Sequence, residues 1–394
     1  MSAVSMEARD VVIVGGGPAG AATALALVRA RPELAPRLLV LDRAAFPRDK
    51  TCAGGLIPQT LTLLRTLGLG LEVPFVRVDN AAVDVAAEKI RMADPACCFV
   101  IRRREFDAML LDAVRAYGVE VREETALRRV IRTSDGFCLE TTTGALQARA
   151  VVGADGSGSR VRRDLVESAD GWVARAVMAD IPDGAGPRDA YEFDFRSTLD
   201  GRIRGYEWSF PCWIDGQPHL NVGVYSLARE AMGTVLRGCL EERLAGVEAA
   251  PKAFPIRLYE PTAPLSAPGV LLVGDAAGID PLLGEGISYA LEYGIEAARH
   301  LEEALDRDDY GFAGYQAAIH GGAVGRKLRR LALAAKLFYG PSRQRWFRLA
   351  RISRRAQRAG MRWYNGVGTL SEPLSGRLPS LPGAPRNLSP NQGG

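Results

Sequence analysis

The chain has 394 residues, of which 47% are hydrophobic and 24% charged, a composition typical of globular proteins with two domains and a tail. No apolar run approaches the roughly 18 residues of a membrane span, and the segment from Met1 to Arg9 lacks the apolar core of a signal peptide, so we expect a cytoplasmic protein. The six cysteines form no C-x-x-C pair and the three histidines are scattered, which argues against disulfides and against a metal site.

Charge is unevenly distributed along the chain, although the net charge is only +4. Between Asp309 and Glu372 there are 13 lysines or arginines and no acidic residue, whereas the remaining chain carries 37 basic and 46 acidic residues. This pattern predicts an acidic body and a basic C-terminal region.

The pattern at the N-terminus predicts a βαβ unit. A short β-branched strand is followed by three glycines in the spacing Gly-x-Gly-x-x-Gly, by a helix from Pro18, and by a second apolar strand that ends in an acid. The residues are the strand from Val11 to Val14, Gly15, Gly17, Gly20, the strand from Leu38 to Leu41, and Asp42, which lies 22 residues beyond Gly20. In such a unit the glycines and the helix start receive a pyrophosphate, and the acid receives an adenosine ribose. We therefore expect this region to bind an adenine dinucleotide.

The chain after this unit contains further elements. In order, the pattern predicts a loop from Phe46 to Gly55, a helix from Pro58 to Leu67, strands of a different layer from Val73 to Met92, a strand from Cys97 to Arg103 that returns to the first domain, and a helix from Arg104 to Tyr117. There follow a three-stranded antiparallel insert from Val119 to Ala150, a strand, glycine turn and helix start from Ala150 to Arg162, an antiparallel sheet from Trp172 to Val224, a helix from Leu227 to Ala245, a strand from Ile256 to Tyr259, a buried strand ending in Gly274-Asp275, and a long helix from Ser288. The late return of a strand-to-helix turn predicts that the nucleotide domain is discontinuous in sequence.

Three separated motifs resemble a known fold. The glycine motif, Ala154-Asp155-Gly156-Ser157, and Val273-Gly274-Asp275-Ala276-Ala277-Gly278 are similar, in this order, to the FAD-dependent oxidoreductases of the para-hydroxybenzoate hydroxylase fold. The fold class implied is α/β (α+β overall), with a Rossmann-like FAD-binding domain interleaved with an antiparallel-sheet substrate domain and followed by a C-terminal helical region. The implied FAD-binding domain comprises residues 1–75, 97–165 and 256–320, the substrate domain residues 76–96 and 166–255, the basic helical region residues 321–372, and a disordered tail residues 373–394.

Two further motifs narrow the resemblance to the geranylgeranyl reductase family. Lys50-Thr51-Cys52-Ala53-Gly54-Gly55 is similar to its K-x-C-x-G-G loop, and Tyr206-Glu207-Trp208-Ser209-Phe210-Pro211 to its Y-x-W-x-F-P motif. Gly284-Glu285-Gly286-Ile287 also resembles that family, and the resemblance covers about residues 10 to 320. One feature departs from it, because Gly223 lies 12 residues after Pro211, farther than the family's glycine pair. This departure puts the usual isoprenoid substrate in question.

The resemblance implies roles for individual residues. Asp275 would hold the ribityl chain of FAD, and Arg103 would contact its phosphate region, although Arg102 and Arg104 leave that register open. The implied FAD-binding residues are Gly15, Gly17, Pro18, Ala19, Gly20, Asp42, Arg43, Cys52, Ala53, Gly54, Arg103, Asp155, Gly274, Asp275, Pro281, Gly284, Gly286 and Ile287. The implied pocket residues are Gly55, Tyr206, Trp208, Phe210 and Pro211.

Cys52 and Lys50 are the candidate catalytic residues. The thiol could contact substrate or move a proton, and the ammonium could guide a diphosphate or a nicotinamide phosphate. The alternatives are a small buried hydrophobic residue and a solvated surface lysine. Asp155 has a structural alternative, at the edge of the nucleotide site.

The leading functional hypothesis is an FAD-dependent reductase that saturates carbon–carbon double bonds of an isoprenoid or similar apolar substrate. With a single glycine motif, NAD(P)H or another reductant would visit the flavin transiently. The first alternative is a monooxygenase or halogenase of secondary metabolism on the same fold, which would use oxygen. The second is an electron-transfer flavoprotein that feeds a quinone pool, which would normally bring an iron–sulfur site that these cysteines cannot form by spacing.

The basic C-terminal region allows two interpretations. Lys327 to Phe338 and Trp346 to Met361 combine apolar residues with arginine and lysine, a pattern of helices that lie on an anionic membrane surface. Alternatively they form a helical cap over the pocket with the basic face in water. Nucleic acid is disfavoured because no binding motif accompanies the charge. We therefore expect a cytoplasmic protein that contacts the inner face of the membrane or caps its own pocket; the sequence leaves the oligomeric state open.

Overall fold

The computed structural model describes residues 6–166, 171–186, 188–227 and 232–366. The strands are β1 Glu7–Val14, β2 Leu38–Leu41, β3 Gly55–Leu56, β4 Phe75–Val85, β5 Glu88–Ile101, β6 Glu120–Arg122, β7 Leu127–Thr133, β8 Gly136–Thr141, β9 Ala145–Gly153, β10 Val173–Pro182, β11 Ala190–Asp194, β12 Gly205–Ile214, β13 Gln217–Ser226, β14 Lys252–Arg257, β15 Ser266–Ala267 and β16 Val270–Leu272. The helices are α1 Pro18–Ala30, α2 Pro58–Thr66, α3 Arg103–Ala116, α4 Arg160–Leu165, α5 Arg196–Leu199, α6 Met232–Leu244, α7 Ile287–Arg307, α8 Ala313–Gly321, α9 Ala323–Phe338, α10 Arg343–Ile352 and α11 Arg354–Tyr364. The predicted tail, residues 373–394, lies outside the described residues.

The chain divides into two compact units, each assembled from three segments. The first unit comprises Met1–Asp49, Asp107–Arg175 and Phe254–Lys336. The second comprises Lys50–Phe106, Ala176–Ala253 and Leu337–Gly394. Each unit is therefore built from segments that are far apart in sequence.

A largely parallel sheet forms the centre of the first unit. Its strands run in the order β15-β16-β9-β1-β2-β6, and β7 and β8 extend it as antiparallel strands from β9. Strands β1, β2, β9 and β16 pair in parallel, and the run from Val11 to Ile13 is fully buried. Short apolar strands buried on both faces are what a parallel sheet with covered faces requires.

Two long helices of the first unit, α1 and α7, pack closely because one of them carries a glycine at the crossing. A Cβ added at Gly294 of α7 would lie 2.7 Å from the Ala19 carbonyl oxygen and 2.7 Å from the Ala22 Cβ. Only a residue without a side chain fits at this distance. The start of α1, which carries the glycine motif, is thus held against α7.

The second unit is organised around a larger, mainly antiparallel sheet. Its order is β14-β10-β13-β12-β11-β4-β5-β3, in which β11 and β4 form a parallel pair. Alternation along β12 and β13 places Tyr206, Trp208 and Phe210 on one face of the sheet, while Val222 and Val224 pack with α6 on the other. The fold class predicted from the sequence, an α/β protein with a Rossmann-like domain interleaved with an antiparallel-sheet domain, is confirmed.

Helices α10 and α11 belong to the second unit, where they pack with one face only. Phe347 of α10 is 5% exposed and stacks on Phe195, with ring centroids 5.0 Å apart. At the end of α11, Asn365 is buried and donates to the Cys97 carbonyl. The segment from Trp346 to Met361, which has the pattern of helices, lies in these two helices, which meet at Ser353. Among the described residues, no helix combines the length and the apolar content needed to cross a membrane.

Two sequence-based expectations about strands are wrong. The segment from Cys97 to Arg103 does not join the first sheet, because Cys98, Phe99 and Val100 end β5 and pair with β4 and β3 of the second sheet. The segment from Val119 to Ala150 is not one antiparallel insert, because β6 pairs in parallel with β2. Only β7, β8 and β9 form the predicted antiparallel arrangement, and β9 also pairs in parallel with β1. Local alternation identified these strands, but it carries no information about their partners.

Candidate functional site

The glycine motif forms a tight turn between β1 and α1 in the first unit. Gly15 has a φ of +113°, and a Cβ there would lie 2.2 Å from the Ala154 carbonyl oxygen. A Cβ at Gly20 would lie 1.9 Å from the Gly15 carbonyl oxygen. The first glycine therefore turns the chain beside the Ala154-Asp155 segment, and the third lets helix and strand approach, as the sequence predicted.

The second glycine leaves room for a ligand. A Cβ at Gly17 would meet a single atom within 4 Å, the Arg48 Nη2, at 3.7 Å. Gly17 is the N-cap of α1, Pro18 follows it, and the first turn contains no acidic residue. Because the first turn of a helix has amide donors without intrahelical partners, this open region suits an anion.

Arg48 is a residue that the sequence analysis missed. Its Nη2 lies 3.1 Å from Asp107, which is fully buried, and its guanidinium stacks on Phe46 at 4.6 Å from the ring centroid. Its Nη1 is buried and has no hydrogen-bond partner among the described residues. A guanidinium that lies beside Gly17 and keeps one donor unused is suited to a phosphate oxygen. Motif matching passed over it because it lies in a loop between two recognised motifs.

Asp42 and Asp155 line the same turn from two sides. Asp42 accepts hydrogen bonds from the amides of Gly16, at 2.8 Å, and Ala44, at 2.9 Å. Asp155 accepts from the amides of Arg160, at 2.6 Å, and Val161, at 3.2 Å, and so holds the start of α4. Burial raises the pKa of Asp155, and its Oδ1 has no hydrogen-bond partner among the described residues. The predicted ribose acid is thus already oriented by backbone amides.

The Gly274-Asp275 segment forms a second glycine turn in the same unit. Gly274 has a φ of +57°, and a Cβ there would lie 2.8 Å from the Ala19 Cβ. This turn therefore lies close to the start of α1. The glycine motif and the Gly274-Asp275 segment must be close if both are to contact FAD, as predicted. Asp275 is half-buried, and its Oδ1 would lie 3.5 Å from a Cβ at Gly286.

The segment from Asp280 to Gly286 leads into α7 and is ordered by two carboxylates. Fully buried Asp280 accepts from the Leu282 amide at 2.6 Å and the Leu283 amide at 3.1 Å. Glu285 accepts from the Ser288 amide at 2.8 Å and from its hydroxyl at 2.5 Å. Burial raises the pKa of Glu285, an effect that Ser288 and Lys327 oppose. Pro281, Gly284, Gly286 and Ile287 are thereby held in this one ordered segment.

In the second unit, the loop from Lys50 to Gly55 is folded around a glycine. Gly54 has a φ of +80°, and a Cβ there would lie 1.9 Å from the Ile101 carbonyl oxygen. The Gly54 amide donates to the Cys52 Sγ at 3.4 Å. Lys50, Cys52 and Ala53 are half-buried, and Cys52 forms no disulfide in the described structure. The thiol is thus held by the backbone of its own loop.

The aromatic residues predicted to line the pocket lie together on the second sheet. Tyr206 and Trp208 are 7% and 4% exposed, with ring centroids 6.0 Å apart. A Cβ at Gly55 would lie 3.0 Å from the Phe210 ring, so the end of the cysteine loop reaches this aromatic face. Pro211, the last of the predicted pocket residues, is also buried.

The displaced glycine has a structural explanation. Gly223 of β13 pairs directly with Trp208 of β12, and a Cβ at this position would lie 2.2 Å from the Trp208 Cζ2. The indole therefore lies over Gly223. This packing explains why a glycine is needed at position 223 of this chain.

The structure also separates the three consecutive arginines. Arg102 makes two hydrogen bonds of 2.9 Å to Asp180, Arg103 begins α3, and Arg104 is exposed. Arg102 is thus bound to Asp180 of the second sheet, and the contact of Arg103 with the FAD phosphates stays a prediction. Arg43, another predicted FAD contact, is exposed.

The residues of the first unit fit FAD. The open region at Gly17, the start of α1 and the unused donor of Arg48 suit a pyrophosphate, and Asp42 suits a ribose. Bound FAD would place its pyrophosphate and ribose beside these groups. The described residues thus supply the donor set that a dinucleotide requires.

Comparisons with known proteins agree with this geometry. The family profile described as FAD binding domain matches residues 8–185. A menaquinone reductase of Mycolicibacterium smegmatis is 29% identical over an alignment of 316 residues that covers 73% of this chain and 75% of the relative. A digeranylgeranylglycerophospholipid reductase of Methanopyrus kandleri is 29% identical over 76% of this chain and 82% of the relative.

Among solved structures, a geranylgeranyl bacteriochlorophyll reductase-like protein of Thermoplasma acidophilum aligns with a TM-score of 0.74. The alignment covers 91% of this chain and 96% of the Thermoplasma acidophilum protein, at 24% identity. The chain is an FAD-dependent oxidoreductase. Its resemblance to the geranylgeranyl reductase family is confirmed, and it is an FAD-dependent reductase related to geranylgeranyl reductases and menaquinone reductase.

Proposed function

We propose that the protein saturates carbon–carbon double bonds of an isoprenoid or similar apolar lipid. The observation that carries the proposal is the aromatic face of the second sheet, where Tyr206, Trp208 and Phe210 alternate along β12 with the same orientation. An apolar chain gains from contact with such a face because it leaves water without losing hydrogen bonds. The names of the relatives support the same substrate class.

In this proposal the protein residues supply a proton to the double bond and hold the lipid or the reductant in place. Saturating one double bond forms two C–H bonds and consumes two electrons and two protons. Bound FAD, once reduced, supplies the two electrons together with one proton. The Cys52 thiol, which the Gly54 amide orients, is the proposed source of the second proton and is reprotonated from water. Lys50 is proposed to hold a phosphate of the lipid or of the reductant.

NAD(P)H is the proposed electron donor, acting as a transient visitor. A single Gly-x-Gly-x-x-Gly motif occurs in the chain. Because the residues around it fit FAD, a nicotinamide cofactor would bind, transfer its electrons and leave. The proposal predicts that NADPH or NADH reduces the flavin in the absence of lipid.

Contact with a membrane is the proposed role of the exposed face of α10. Leu349 and Ile352 are 47% and 74% exposed, and Arg345 and Arg348 are exposed beside them. Spacings of three and four residues place these side chains on one face of the helix. Such a face suits an anionic membrane, and the buried Phe347 on the opposite face supports the cap as well. We propose a cytoplasmic protein at the inner face of a membrane.

The test is rapid mixing of the reduced, FAD-loaded protein with geranylgeraniol without oxygen. We expect flavin absorbance to return to that of the oxidised form with geranylgeraniol and to remain unchanged with its fully saturated counterpart. The Cys52→Ala variant should retain FAD but reoxidise at least about tenfold more slowly, since proton transfer by a positioned group contributes roughly 10²–10⁴-fold. Equal behaviour of the saturated and unsaturated alcohols would refute the proposal.

A further inference from the structure

A chain of polar contacts, buried at Trp208 and Asn221 and partly exposed at Asp180 and Arg102, holds the Trp208 indole in the second unit. The Trp208 Nε1 donates to the Asn221 Oδ1 at 2.8 Å, and the Asn221 Nδ2 donates to the Asp180 Oδ1 at 2.7 Å. Arg102 donates from both Nη atoms to Asp180 at 2.9 Å. Asn221 is 0% exposed, so its amide exchanges no hydrogen bond with bulk water.

The chemistry of the partners fixes the orientation of the Asn221 amide. An indole N–H can only donate, so it must face the amide oxygen, and an ionised carboxylate can only accept, so it must face the amide nitrogen. The bidentate Arg102 contact holds the Asp180 carboxylate in one plane. The orientation set at Arg102 is therefore transmitted through Asp180 and Asn221 to the indole.

Gly223, two residues after Asn221 in β13, limits the position of the six-membered ring of the indole. A Cβ at Gly223 would lie 2.2 Å from the Cζ2 and 2.4 Å from the Cη2 of Trp208. The indole is thus fixed at its nitrogen by Asn221 and placed over the backbone at Gly223.

We propose that Asn221 is a positioning residue, oriented by the Asp180–Arg102 ion pair, that sets the plane of the Trp208 indole against which the apolar substrate packs. Gly223 belongs to the same assembly, because a side chain at this position would occupy the space in which the indole lies. The inference rests on the proposed function for its substrate, whereas the position of the indole can be measured without substrate.

The first measurement is nuclear magnetic resonance of the FAD-loaded protein labelled with ¹⁵N-tryptophan, which has five indole signals. The Trp208→Phe variant assigns the Trp208 signal. In Asn221→Leu, and separately in Gly223→Ala, we expect this signal to shift and its proton to exchange faster, with the other indole signals unchanged. Asn365→Leu is the matched control, because Asn365 is a 1% exposed asparagine of the same unit that contacts Cys97 instead.

The second measurement is steady-state reduction of geranylgeraniol. Asn221→Leu should raise KM about tenfold, which corresponds to about 1.4 kcal/mol of lost binding, with kcat and the FAD dissociation constant unchanged. The same substitution in a Trp208→Phe background should change KM by less than about twofold, because the group that Asn221 positions is absent. A merely structural asparagine would lower stability in both backgrounds and leave KM unchanged.

Two results would overturn the inference. An unshifted Trp208 signal in Asn221→Leu would show that the indole does not depend on the amide, and a shifted signal with wild-type KM would show that its plane does not matter for substrate. If the wild-type protein neither binds nor reduces geranylgeraniol, the proposed function fails, while the indole signals still decide whether Asn221 positions Trp208.

Discussion

We expect the phosphate end of the FAD site to depend strongly on Arg48. Its Nη2 lies beside Gly17, and its buried Nη1 has no hydrogen-bond partner among the described residues. We expect Arg48→Lys to weaken FAD binding about tenfold or more, since a charge-assisted hydrogen bond contributes roughly 1.5–3 kcal/mol. Lysine keeps a charge for Asp107 but has no planar fork to reach a second partner. Titration of the apoprotein with FAD, followed by flavin fluorescence, measures the change.

The matched control is Arg65→Lys, at an exposed arginine of α2 whose side chain contacts only a carbonyl of its own helix in the described structure. This variant should bind FAD as the wild type does. An unchanged dissociation constant in Arg48→Lys, at an unchanged melting temperature, would remove Arg48 from the site.

His320 gives the first unit a dependence on pH. Its Nδ1 accepts from the Tyr259 hydroxyl at 2.7 Å and its Nε2 donates to the Ala263 carbonyl at 3.1 Å. Burial lowers the pKa of His320 below its ordinary 6.5. The folded protein therefore binds this proton less readily than the unfolded chain does, so stability is lost as pH falls below 6.5 towards the folded-state value.

We expect this loss to disappear in His320→Gln. Between about pH 7.5 and pH 5.5 the free energy of unfolding of the wild type should fall relative to that of the variant, because only the wild type carries the titrating ring. Urea unfolding at each pH measures the difference. Parallel pH profiles of the two proteins would contradict the account.

Sequence reasoning identified the glycines of the site but not their charged neighbours. Gly15, Gly17 and Gly20 are recognisable because the backbone itself demands them at fixed spacing. The usefulness of Arg48 depends on where a loop places its side chain, and nothing in its local sequence distinguishes it from Arg43. Asn221 was missed for the same reason, since its partners Trp208 and Asp180 are distant in sequence.

At the scale of elements, the crossing of α1 and α7 makes a sharp prediction. Alanine is normally preferred to glycine inside a helix by roughly 0.5–1 kcal/mol. At Gly294 the added methyl group would lie 2.7 Å from the Ala19 carbonyl oxygen, and overpacking of this kind costs about 1–3 kcal/mol. We expect Gly294→Ala to destabilise the protein in urea unfolding.

Gly238 of α6 provides the opposite case. A Cβ there would meet nothing within 4 Å, so Gly238→Ala should stabilise the protein by about 0.5–1 kcal/mol through its helix preference alone. Stabilisation by both substitutions would show that the two long helices are not in tight contact.

The exposed face of α10 predicts binding to anionic vesicles. We expect the protein to sediment with vesicles of phosphatidylcholine and phosphatidylglycerol but not with phosphatidylcholine alone. Leu349→Ser combined with Ile352→Ser should reduce the bound fraction about fivefold or more, because each removes apolar area that would enter the interface.

Val247→Ser is the matched control for vesicle binding, since Val247 is 44% exposed in the same unit but outside α10. It should bind vesicles as the wild type does. Equal binding by the double variant and the wild type would leave α10 only as a cap on the second sheet.

Element types were predictable because periodicity is local, whereas pairing was not. The alternation in β4 and β5 correctly indicated strands, yet the sheet to which Cys97 and its neighbours belong depends on contacts with β3 and β4. The parallel pairing of β6 with β2 is likewise set by the tertiary fold. Helix α7 was predicted well because a glycine turn and a long apolar periodicity define it.

The protein as a whole combines an FAD-binding first unit with a second unit whose sheet carries a cluster of aromatic side chains on one face. Each unit draws on three segments of the chain, so the motifs that mark them alternate along the sequence. Their order was sufficient to indicate the family. The substrate could not be derived in the same way, because it depends on how side chains such as Trp208 and Asn221 are held.

The most direct test of the central claim is the mass of the product. The FAD-loaded protein is incubated with NADPH and geranylgeraniol in air with halide present, and the lipid is analysed by mass spectrometry. The account predicts a gain of two hydrogen atoms for every double bond that reacts, with no oxygen or halogen incorporated. A product that gains oxygen or halide in place of hydrogen would contradict it and assign the protein to oxygen-dependent chemistry.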